Sequence, residues 1–366
     1  MTDRHRLAVV MPPATDLAPE AALDRWSTVT ATVQALAARD DIEPVVHARH
    51  TTQAAVVERD GVTYRFHPSD AALVAAVRGD RPHSVHVHGL GWSRLLRRLS
   101  AVEVPVVVQH HGEPVFTGRA RWGHRLARRG VSAYLFTGAD HGQAAPWIEA
   151  GVIDRDAMVV DVLEAASLLP DDDGPDVRLA GAPAILWVGR LVPGKDPLTA
   201  LAAFAVLADR MPDAHLHLLA SDRSMEPEVR AAIAALGEVS QRVHLHDPVP
   251  HEHMGGWYSA ADVYFSTSHH EGSSYSLIEA FSRGLPPAVT AIPPHRSIVG
   301  DVGATFAVGD ASAAARAIEA AMVVRRSQVA DRSHSVLSWE RVAGQLAGVH
   351  RSLRSREGAG REGHQQ

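Results

Sequence analysis

Short apolar runs rich in β-branched residues recur along this chain, with segments of helical composition between them. In the first half the runs are LAVVM (7–11), PVVHA (44–48), VHVHG (85–89), VPVVVQHH (104–111), AYLFTG (133–138) and MVVDVL (158–163). A typical intervening segment is RWSTVTATVQALAARD (25–40). Strands that alternate with helices form a parallel sheet covered on both faces. The chain therefore predicts an α/β fold.

The alternation stops at a polar, proline-containing break, LLPDDDGPDVRLAGAP (168–183), and then resumes. The later runs are AILWVG (184–189), HLHLLA (215–220), RVHLH (242–246), VYFSTS (263–268) and PPAVTAI (286–292). A length of 366 residues suits two domains. We expect doubly wound, Rossmann-like domains at 1–167 and 182–335, a helix at about 340–354 and a disordered tail at 355–366. Ligands of such sheets bind outside the strand carboxyl ends, which predicts an active site in the cleft between the domains.

Composition excludes several classes of protein. The formal net charge of −6 argues against a nucleic-acid-binding protein. The chain has no cysteine, so neither disulfides nor thiolate chemistry are available, and this suits a cytoplasmic enzyme. No run approaches eighteen apolar residues, so no transmembrane helix is expected. Lys195 is the chain's only lysine among 36 basic residues. Because an ammonium and a guanidinium differ in size and donor geometry, a lone lysine indicates a site residue.

The segment around that lysine, ILWVGRLVPGKDPLT (185–199), supports two interpretations. Gly189 to Lys195 spells G-x-x-x-x-G-K, as in the phosphate loop of a nucleoside triphosphatase. That motif ends in a serine or threonine that ligates magnesium, and here the position holds Asp196. The alternative is a strand that ends at Gly189 and is followed by Arg190 and Lys195, two cations that grip the diphosphate of a nucleotide sugar.

A second segment, HHEGSSYSLIEAFSRGLPPAVT (269–290), fits the nucleotide-sugar interpretation. SYSLIEAFSRG predicts a helix that stops at Gly284, and its first turn presents backbone N–H groups to phosphate oxygens. Glu271 and Glu279 are separated by seven residues, a spacing that suits the two ends of one extended ligand. We expect Glu279 to accept from ribose hydroxyls and Glu271 from hydroxyls of the transferred sugar. A glycosidase-type carboxylate pair is the alternative.

These two segments resemble the family 4 retaining glycosyltransferases of GT-B fold. VGRLVPGKDPLTALAAF is similar to the G-R-L-x-x-x-K segment of that family, and residues 269–301 resemble its E-x7-E segment with the trailing G-x-P-x-V-x-T. The resemblance covers about residues 182–345. It implies that Arg190 and Lys195 bind the donor diphosphate, Glu279 the ribose and Glu271 the sugar. Further donor contacts are implied for a short run of residues: Gly272, Ser273, Ser274, Tyr275, Ser276 and Leu277.

The same resemblance implies attack by an acceptor hydroxyl with retention of anomeric configuration, without a protein nucleophile and without a metal or other cofactor. Two departures from the family are visible. Its usual E-G-F-G is Glu271-Gly272-Ser273-Ser274 here, and MPPATDLAPEAAL (11–23) stands where a glycine-rich turn is common. A catalytically silent nucleotide-binding copy is therefore one alternative, and a GT-B-like epimerase or phosphorylase is another.

The chain's 23 histidines invite a metal-site hypothesis, but no cluster adds carboxylates at zinc-site spacing. We expect no bound metal. His86, His88, His110 and His111 fall at predicted strand carboxyl ends. By resemblance, His111 matches the histidine that approaches the donor sugar, and His88 is the next candidate.

Eight arginines fall between residues 94 and 129, against Glu103 and Glu113 alone. They are Arg94, Arg97, Arg98, Arg119, Arg121, Arg125, Arg128 and Arg129. A solvated basic helix surface is the simplest explanation. A contact with an anionic acceptor or with acidic lipid headgroups is the sharper hypothesis, and it would place the protein at the inner face of a membrane. The acceptor itself can be a lipid-linked intermediate, a polysaccharide or a small metabolite.

Overall fold

The computed structural model describes residues 4–13, 17–50, 54–138, 141–164, 166–170, 174 and 176–362, and side chains only as far as residue 355. The chain divides into two compact units. Residues 1–164 together with 339–366 form the first unit, and residues 165–338 form the second. Within the described part of the chain, each unit is built around one sheet.

The first unit contains a sheet of eight strands in the order β3-β4-β2-β1-β5-β6-β7-β8. The strands are β1 (His5–Val10), β2 (Ile42–Arg49), β3 (Ala55–Arg59), β4 (Val62–His67), β5 (Ser84–His88), β6 (Val106–Gln109), β7 (Ala133–Phe136) and β8 (Val159–Asp161). The pairings are parallel except that of β3 with β4.

Helices cover both faces of this sheet. They are α1 (Pro19–Arg25), α2 (Ser27–Ala37), α3 (Asp70–Gly79), α4 (Ser93–Leu99), α5 (Gly118–Ala127) and α6 (Ala145–Glu149). In β1, Leu7 and Val9 belong to the core under α2, whereas Ala8 and Val10 belong to the core under α3 and α4. Both sets of side chains are buried, which explains why the strands are apolar without alternation.

The second unit has a six-stranded, all-parallel sheet in the order β11-β10-β9-β12-β13-β14. Its strands are β9 (Ala184–Gly189), β10 (His215–Ala220), β11 (Val243–His246), β12 (Val263–Ser266), β13 (Pro287–Thr290) and β14 (Ala304–Phe306). Its helices are α7 (Pro197–Ala208), α8 (Glu226–Ala235), α9 (Met254–Ala260), α10 (Tyr275–Ser282), α11 (Pro293–Val299), α12 (Ala311–Ala321) and α13 (Arg326–Leu337). The predicted α/β fold with two Rossmann-like domains is confirmed.

The hairpin of β3 and β4 was not expected from the apolar runs. Its turn is Asp60-Gly61, and both residues have a positive φ, 51° and 76°. This is the conformation of a tight two-residue hairpin turn, which favours Asp-Gly. The strands escaped notice because β3 is an edge strand with exposed Val56 and Glu58, so its sequence is not a continuous apolar run.

The last helix, α14 (Trp339–Glu362), belongs to the first unit and packs against α2. It continues past residue 354 into the segment where the sequence analysis expects a tail, and residues 363–366 lie outside the described part of the chain. Among the described residues, no helix is both long and apolar enough to cross a membrane.

A buried chain of hydrogen bonds fastens α14 to the first sheet. His350 Nδ1 lies 2.8 Å from Ser84 Oγ, and His350 Nε2 lies 3.0 Å from His86 Nδ1. The chain continues from Ser84 to His5 Nε2 at 2.7 Å and from His86 Nε2 to Gln109 Oε1 at 2.8 Å. Burial lowers the pKa of His5 and of His86 to about 4 and that of His350 well below its usual value. These rings are therefore neutral at pH 7.

This network makes stability depend on pH. The unfolded chain takes up protons near pH 6.5, whereas the folded rings stay neutral until about pH 4, so stability is lost as the pH falls through that window. Each such histidine contributes a slope of about 1.4 kcal/mol per pH unit there. We expect the free energy of unfolding, measured by guanidinium titration at pH 7.5, 6.5 and 5.5, to fall steeply below pH 6.5. His350→Gln should make this fall shallower, whereas His334→Gln, at an exposed position, should not. A pH-independent free energy of unfolding would contradict the prediction.

Candidate functional site

The segment between β9 and α7 carries the first predicted motif. Gly189 ends β9, and Arg190 follows it with an exposed side chain. Hydrogen bonds from Ser224 lower the pKa of Asp222, and the positive charge of Arg190 adds to this effect. A single 3-10 turn, Pro193–Lys195, then leads to α7. The two predicted cations thus leave the carboxyl end of a central strand, the sheet edge where ligands of such folds bind.

Asp196 explains why this segment is not a phosphate loop. It adopts a left-handed conformation with φ of 48° and caps α7, since its Oδ1 accepts from Thr199 N–H at 3.1 Å. Its Oδ2 accepts from His269 Nε2 at 2.9 Å. In a phosphate loop the N–H groups at this helix start receive the phosphate. Here a carboxylate occupies them, so the geometry disfavours the triphosphatase interpretation.

The only lysine forms an ion pair with one of the two predicted glutamates. Lys195 Nζ contacts Glu271 Oε1, and the two side chains are 20% and 12% exposed. The segments that carry them are tied together: Thr267 Oγ1 donates to the carbonyl of Lys195 at 2.9 Å, and His269 N–H donates to that of Gly194 at 2.9 Å. Burial pushes the pKa of Glu271 upward, but Lys195 outweighs it and holds the pKa below its ordinary value.

Helix α10 begins beside this ion pair, at Tyr275. Gly272, Ser273 and Ser274 form the turn before it, and both serines are buried. Ser274 stands at the N-cap with φ of 58° and its side chain makes no capping hydrogen bond, so the first-turn N–H groups are not covered by the usual serine cap. Of the other predicted residues, Tyr275 is 39% exposed, Ser276 Oγ lies 2.8 Å from Tyr264 Oη, and Leu277 is buried.

Glu279 lies one turn further along α10 and is 8% exposed. Its Oε1 accepts from His251 Nε2 at 2.6 Å and its Oε2 from Tyr258 Oη at 2.9 Å. The hydrogen bond that His251 donates to Glu279 raises the pKa of His251. Sequence reasoning missed both partners, because they come from a separate segment, residues 251–258, that belongs to neither predicted motif. Each carboxylate oxygen keeps a second lone pair for a ligand hydroxyl.

His295 is a further residue that the motifs did not reveal. It is fully buried on α11, its Nδ1 donates to the carbonyl of Thr290 at 2.9 Å, and burial lowers its pKa to about 4. Its Nε2 has no hydrogen-bond partner. Its charge interactions with Glu271 and Lys195 place it in the same neighbourhood.

In the first unit, His111 forms a different charged cluster. His111 Nδ1 contacts Glu164, and its Nε2 lies 2.8 Å from His88 Nδ1. Burial opposes protonation of His111, but Glu164 and Glu113 outweigh it and raise its pKa, whereas burial holds the pKa of His88 well below its usual value. Both predicted histidines are brought together here, but each nitrogen of His111 already has a protein partner. Glu164 carried no sequence signal.

His110 takes no part in this cluster. Its ring stacks on Phe136 with centroids 4.9 Å apart, and its Nε2 lies 3.1 Å from the carbonyl of Glu113. In the part of the chain that the structure describes, no group of three or more His, Asp or Glu side chains is arranged to hold a metal ion.

A cavity of about 260 Å³ opens at the carboxyl ends of β1, β2 and β5 in the first unit. Its polar lining includes Arg49, Asp70, Trp92 and Arg94, and Arg49 pairs with Asp70 at 3.3 Å. The cavity lies where the strand order turns from β2 to β5 about β1, the usual ligand position in a doubly wound sheet. Residues 14–16, in the loop that departs from the family pattern, lie outside the described residues.

Comparisons with known proteins agree with this geometry. Residues 182–322 match the family model described as Glycosyl transferases group 1, which is less than half of the chain. A D-inositol 3-phosphate glycosyltransferase of Streptomyces griseus is 30% identical over 45% of this chain and 38% of its own length. The GDP-mannose:cellobiosyl-diphosphopolyprenol alpha-mannosyltransferase of Xanthomonas oryzae is 26% identical over 70% of this chain and 68% of its own. The match thus spans well under half the length of the Streptomyces relative.

Solved structures resemble the whole chain. Sucrose-phosphate synthase of Thermosynechococcus elongatus superposes with a TM-score of 0.65 at 18% identity, covering 96% of this chain and 100% of that one. Anabaena HepE, solved with UDP and glucose, gives a TM-score of 0.63 at 14% identity over 95% and 100%. At such identities the likeness shows the fold, and the fold is GT-B.

Ser274 yields a test of the local geometry. A left-handed conformation destabilises the folded state by about 1–2 kcal/mol when the residue is not glycine. Glycine avoids this strain, but it lowers the free energy of unfolding by about 0.4–1 kcal/mol because it makes the unfolded chain more flexible. We expect Ser274→Gly to raise the free energy of unfolding by roughly 0.5–1 kcal/mol, the difference between these terms. Ser273→Gly, at a buried neighbour whose φ is not positive, should lower it. Equal shifts in the two variants, measured by guanidinium titration, would argue against strain at Ser274.

Proposed function

We propose that the protein is a glycosyltransferase that moves a sugar from a nucleoside diphosphate sugar to an acceptor hydroxyl. The observation that carries this proposal is the ion pair of Lys195 with Glu271 beside the start of α10, where the Ser274 side chain makes no capping hydrogen bond. Both segments lie in the part of the chain that matches the glycosyltransferase family model. Membership of family 4, with retention of anomeric configuration, is part of the proposal and rests on the two sequence motifs.

The donor diphosphate would bind by sharing the charge of Lys195 with Glu271. Its oxygens approach Arg190, the ammonium of Lys195 and the first-turn N–H groups of α10. Lys195 then shares its charge between the phosphate and Glu271, which leaves a Glu271 oxygen to accept from a sugar hydroxyl. Glu279, held by His251 and Tyr258, accepts from the ribose. These cations neutralise the diphosphate, so we propose no metal or other cofactor.

The same groups support the reaction. When the bond between the anomeric carbon and the diphosphate breaks, negative charge grows on the leaving oxygens, and fixed cations with helix N–H groups stabilise it. In the retaining mechanism that we propose, the departing phosphate accepts the proton of the acceptor hydroxyl, and no protein nucleophile is needed. A direct contact of His111 with the donor sugar would require the ring to exchange its hydrogen bond with His88 for one with a sugar oxygen.

We propose that the acceptor binds in the cavity of the first unit, where Arg49, Asp70 and Arg94 offer both donors and acceptors to a hydroxylated molecule. The names of similar proteins include phosphorylated and lipid-linked acceptors, so the acceptor class stays open. The base also stays open, because a GDP-mannose enzyme and a UDP complex are both among the similar proteins.

A catalytically silent copy is the second candidate, and one observation favours it. Ser274 holds a left-handed conformation at the position where the resembling family has glycine, so its side chain stands at the start of α10 where the diphosphate would dock. Such a protein would bind a nucleotide without turnover.

The donor site is tested by titrating UDP, GDP, ADP and TDP, without metal, into wild type and variants. We expect one diphosphate to bind with micromolar affinity. Lys195→Ala should weaken it by about 10- to 150-fold, the value of one charge-assisted contact. Arg230→Ala, which removes an exposed cation on α8, should have no effect. Binding indifferent to Lys195, or none, would contradict the donor-site assignment.

A substitution of Glu271 distinguishes nucleotide binding from sugar transfer. Because Glu271→Gln releases Lys195, this variant should bind the diphosphate at least as tightly as wild type, yet lose transfer of the sugar. The measurement is nucleotide affinity by calorimetry, alongside release of nucleoside diphosphate from the matching nucleotide sugar with a panel of acceptors. Weaker diphosphate binding in Glu271→Gln would show that the carboxylate does not compete with the phosphate. No turnover by the wild type with any acceptor would favour the silent copy.

A further inference from the structure

Helices α4 and α5 of the first unit lie side by side and form one surface. They approach closely because Gly123 has no side chain: a Cβ there would lie 2.8 Å from Ser93 Oγ. The inner side of α5 is buried through His124 and Ala127. The outward residues of both helices therefore belong to a single exposed face. The 3-10 turn Arg128–Gly130, which follows α5, contributes its exposed residue to the same face.

Two large apolar side chains stand out of this face. Trp122 is 67% exposed and Leu126 is 52% exposed. They are four residues apart on α5, which places them on the same side of the helix one turn from each other. A single exposed apolar residue is ordinary, but an adjacent aromatic and aliphatic pair on a surface helix indicates contact with an apolar phase.

Arginines surround this pair. Six of them are exposed: Arg94, Arg97, Arg98, Arg119, Arg125 and Arg129. Among the eight arginines of residues 94–129, the described part of the chain shows one ion pair, from Arg128 to Asp154. Arg128 is not one of the six exposed arginines. The exposed guanidinium groups are therefore available to an external anion. We call these six arginines with Trp122 and Leu126 the basic-aromatic face.

We propose that the basic-aromatic face binds the surface of an anionic lipid bilayer. A bilayer interface offers acidic headgroups to the guanidinium groups and, just below them, hydrocarbon to Trp122 and Leu126. A nucleic acid would satisfy the arginines but give Leu126 no apolar partner. The observations thus favour lipid over nucleic acid.

The face adjoins the cavity of the first unit. Arg94 belongs to both, and Trp92 and Ser93 at the start of α4 also line the cavity. A hydroxyl presented from a bilayer would therefore reach the cavity along α4. The lipid contact itself involves only α4 and α5 and does not depend on the proposed glycosyl transfer.

The test is co-sedimentation of the full chain with vesicles of phosphatidylcholine alone and with vesicles containing about one third phosphatidylglycerol, a composition chosen to give a strongly negative surface potential. We expect binding to the anionic vesicles only, weakening as salt is raised. The double variant Arg98→Gln/Arg119→Gln should lower the partition coefficient about 25-fold, from about fivefold per arginine. Trp122→Ser/Leu126→Ser should lower it about tenfold or more.

Matched controls come from the second unit. Arg178→Gln removes a cation that is 89% exposed, and Val323→Ser removes an apolar side chain that is 82% exposed. Both should bind vesicles as wild type does, and circular dichroism should show that every variant is folded. The proposal is overturned if wild type binds neither vesicle, if it binds both equally, or if the two double variants bind like the controls. It is also overturned if the double variants lose affinity for duplex DNA while wild type ignores the vesicles. Donor-site titrations on these variants report on the second unit separately.

Discussion

A parallel sheet with helices on both faces gives its inward side chains no water, so an imidazole buried there without a carboxylate beside it is favoured in its neutral, hydrogen-bonded form. In the first unit this constraint acts on the hydrogen-bonded chain from His5 to His350, which links α14 to the middle of the sheet in addition to the apolar contacts of α14. A phenyl or isobutyl side chain would fill the space but could not link four elements of the fold. The imidazoles do so only while they are uncharged, and burial lowers their pKa values accordingly.

Against that background, two histidines have raised pKa values. His111 and His251 differ from the buried network in one respect: each lies against a glutamate, Glu164 and Glu279 respectively. In each pair the carboxylate outweighs desolvation and raises the pKa of the ring. The histidines with raised pKa values therefore lie at the strand carboxyl ends and beside α10, whereas those with lowered pKa values include the rings that link α14 to the sheet. The distinction follows from the neighbours of each ring and not from its place in a motif.

Much of the architecture follows from the sequence because apolar runs and glycine stops act locally. The strands on either side of the break at 168–183 and the helix that ends before Gly284 are of this kind. The hairpin at Asp60-Gly61 carried a local signal that the search for apolar runs passed over. Other features carry no local signal. His251 and Tyr258 reach Glu279 from a distant segment, and Glu164 reaches His111 across 53 positions. Such contacts depend on the order of strands in the sheet, which periodicity does not fix.

The lone lysine acquires a physical reason from its surroundings. Everywhere else this chain uses arginine as its cation, yet at the contact with Glu271 it has an ammonium. A guanidinium would pair with a carboxylate through two parallel hydrogen bonds, and that geometry commits the cation to one partner. An ammonium is a compact charge with three rotatable donors, so it can hold Glu271 and a phosphate oxygen at the same time. In the donor site that we propose, a shared ammonium would let Glu271 turn toward the ligand without losing its counter-charge.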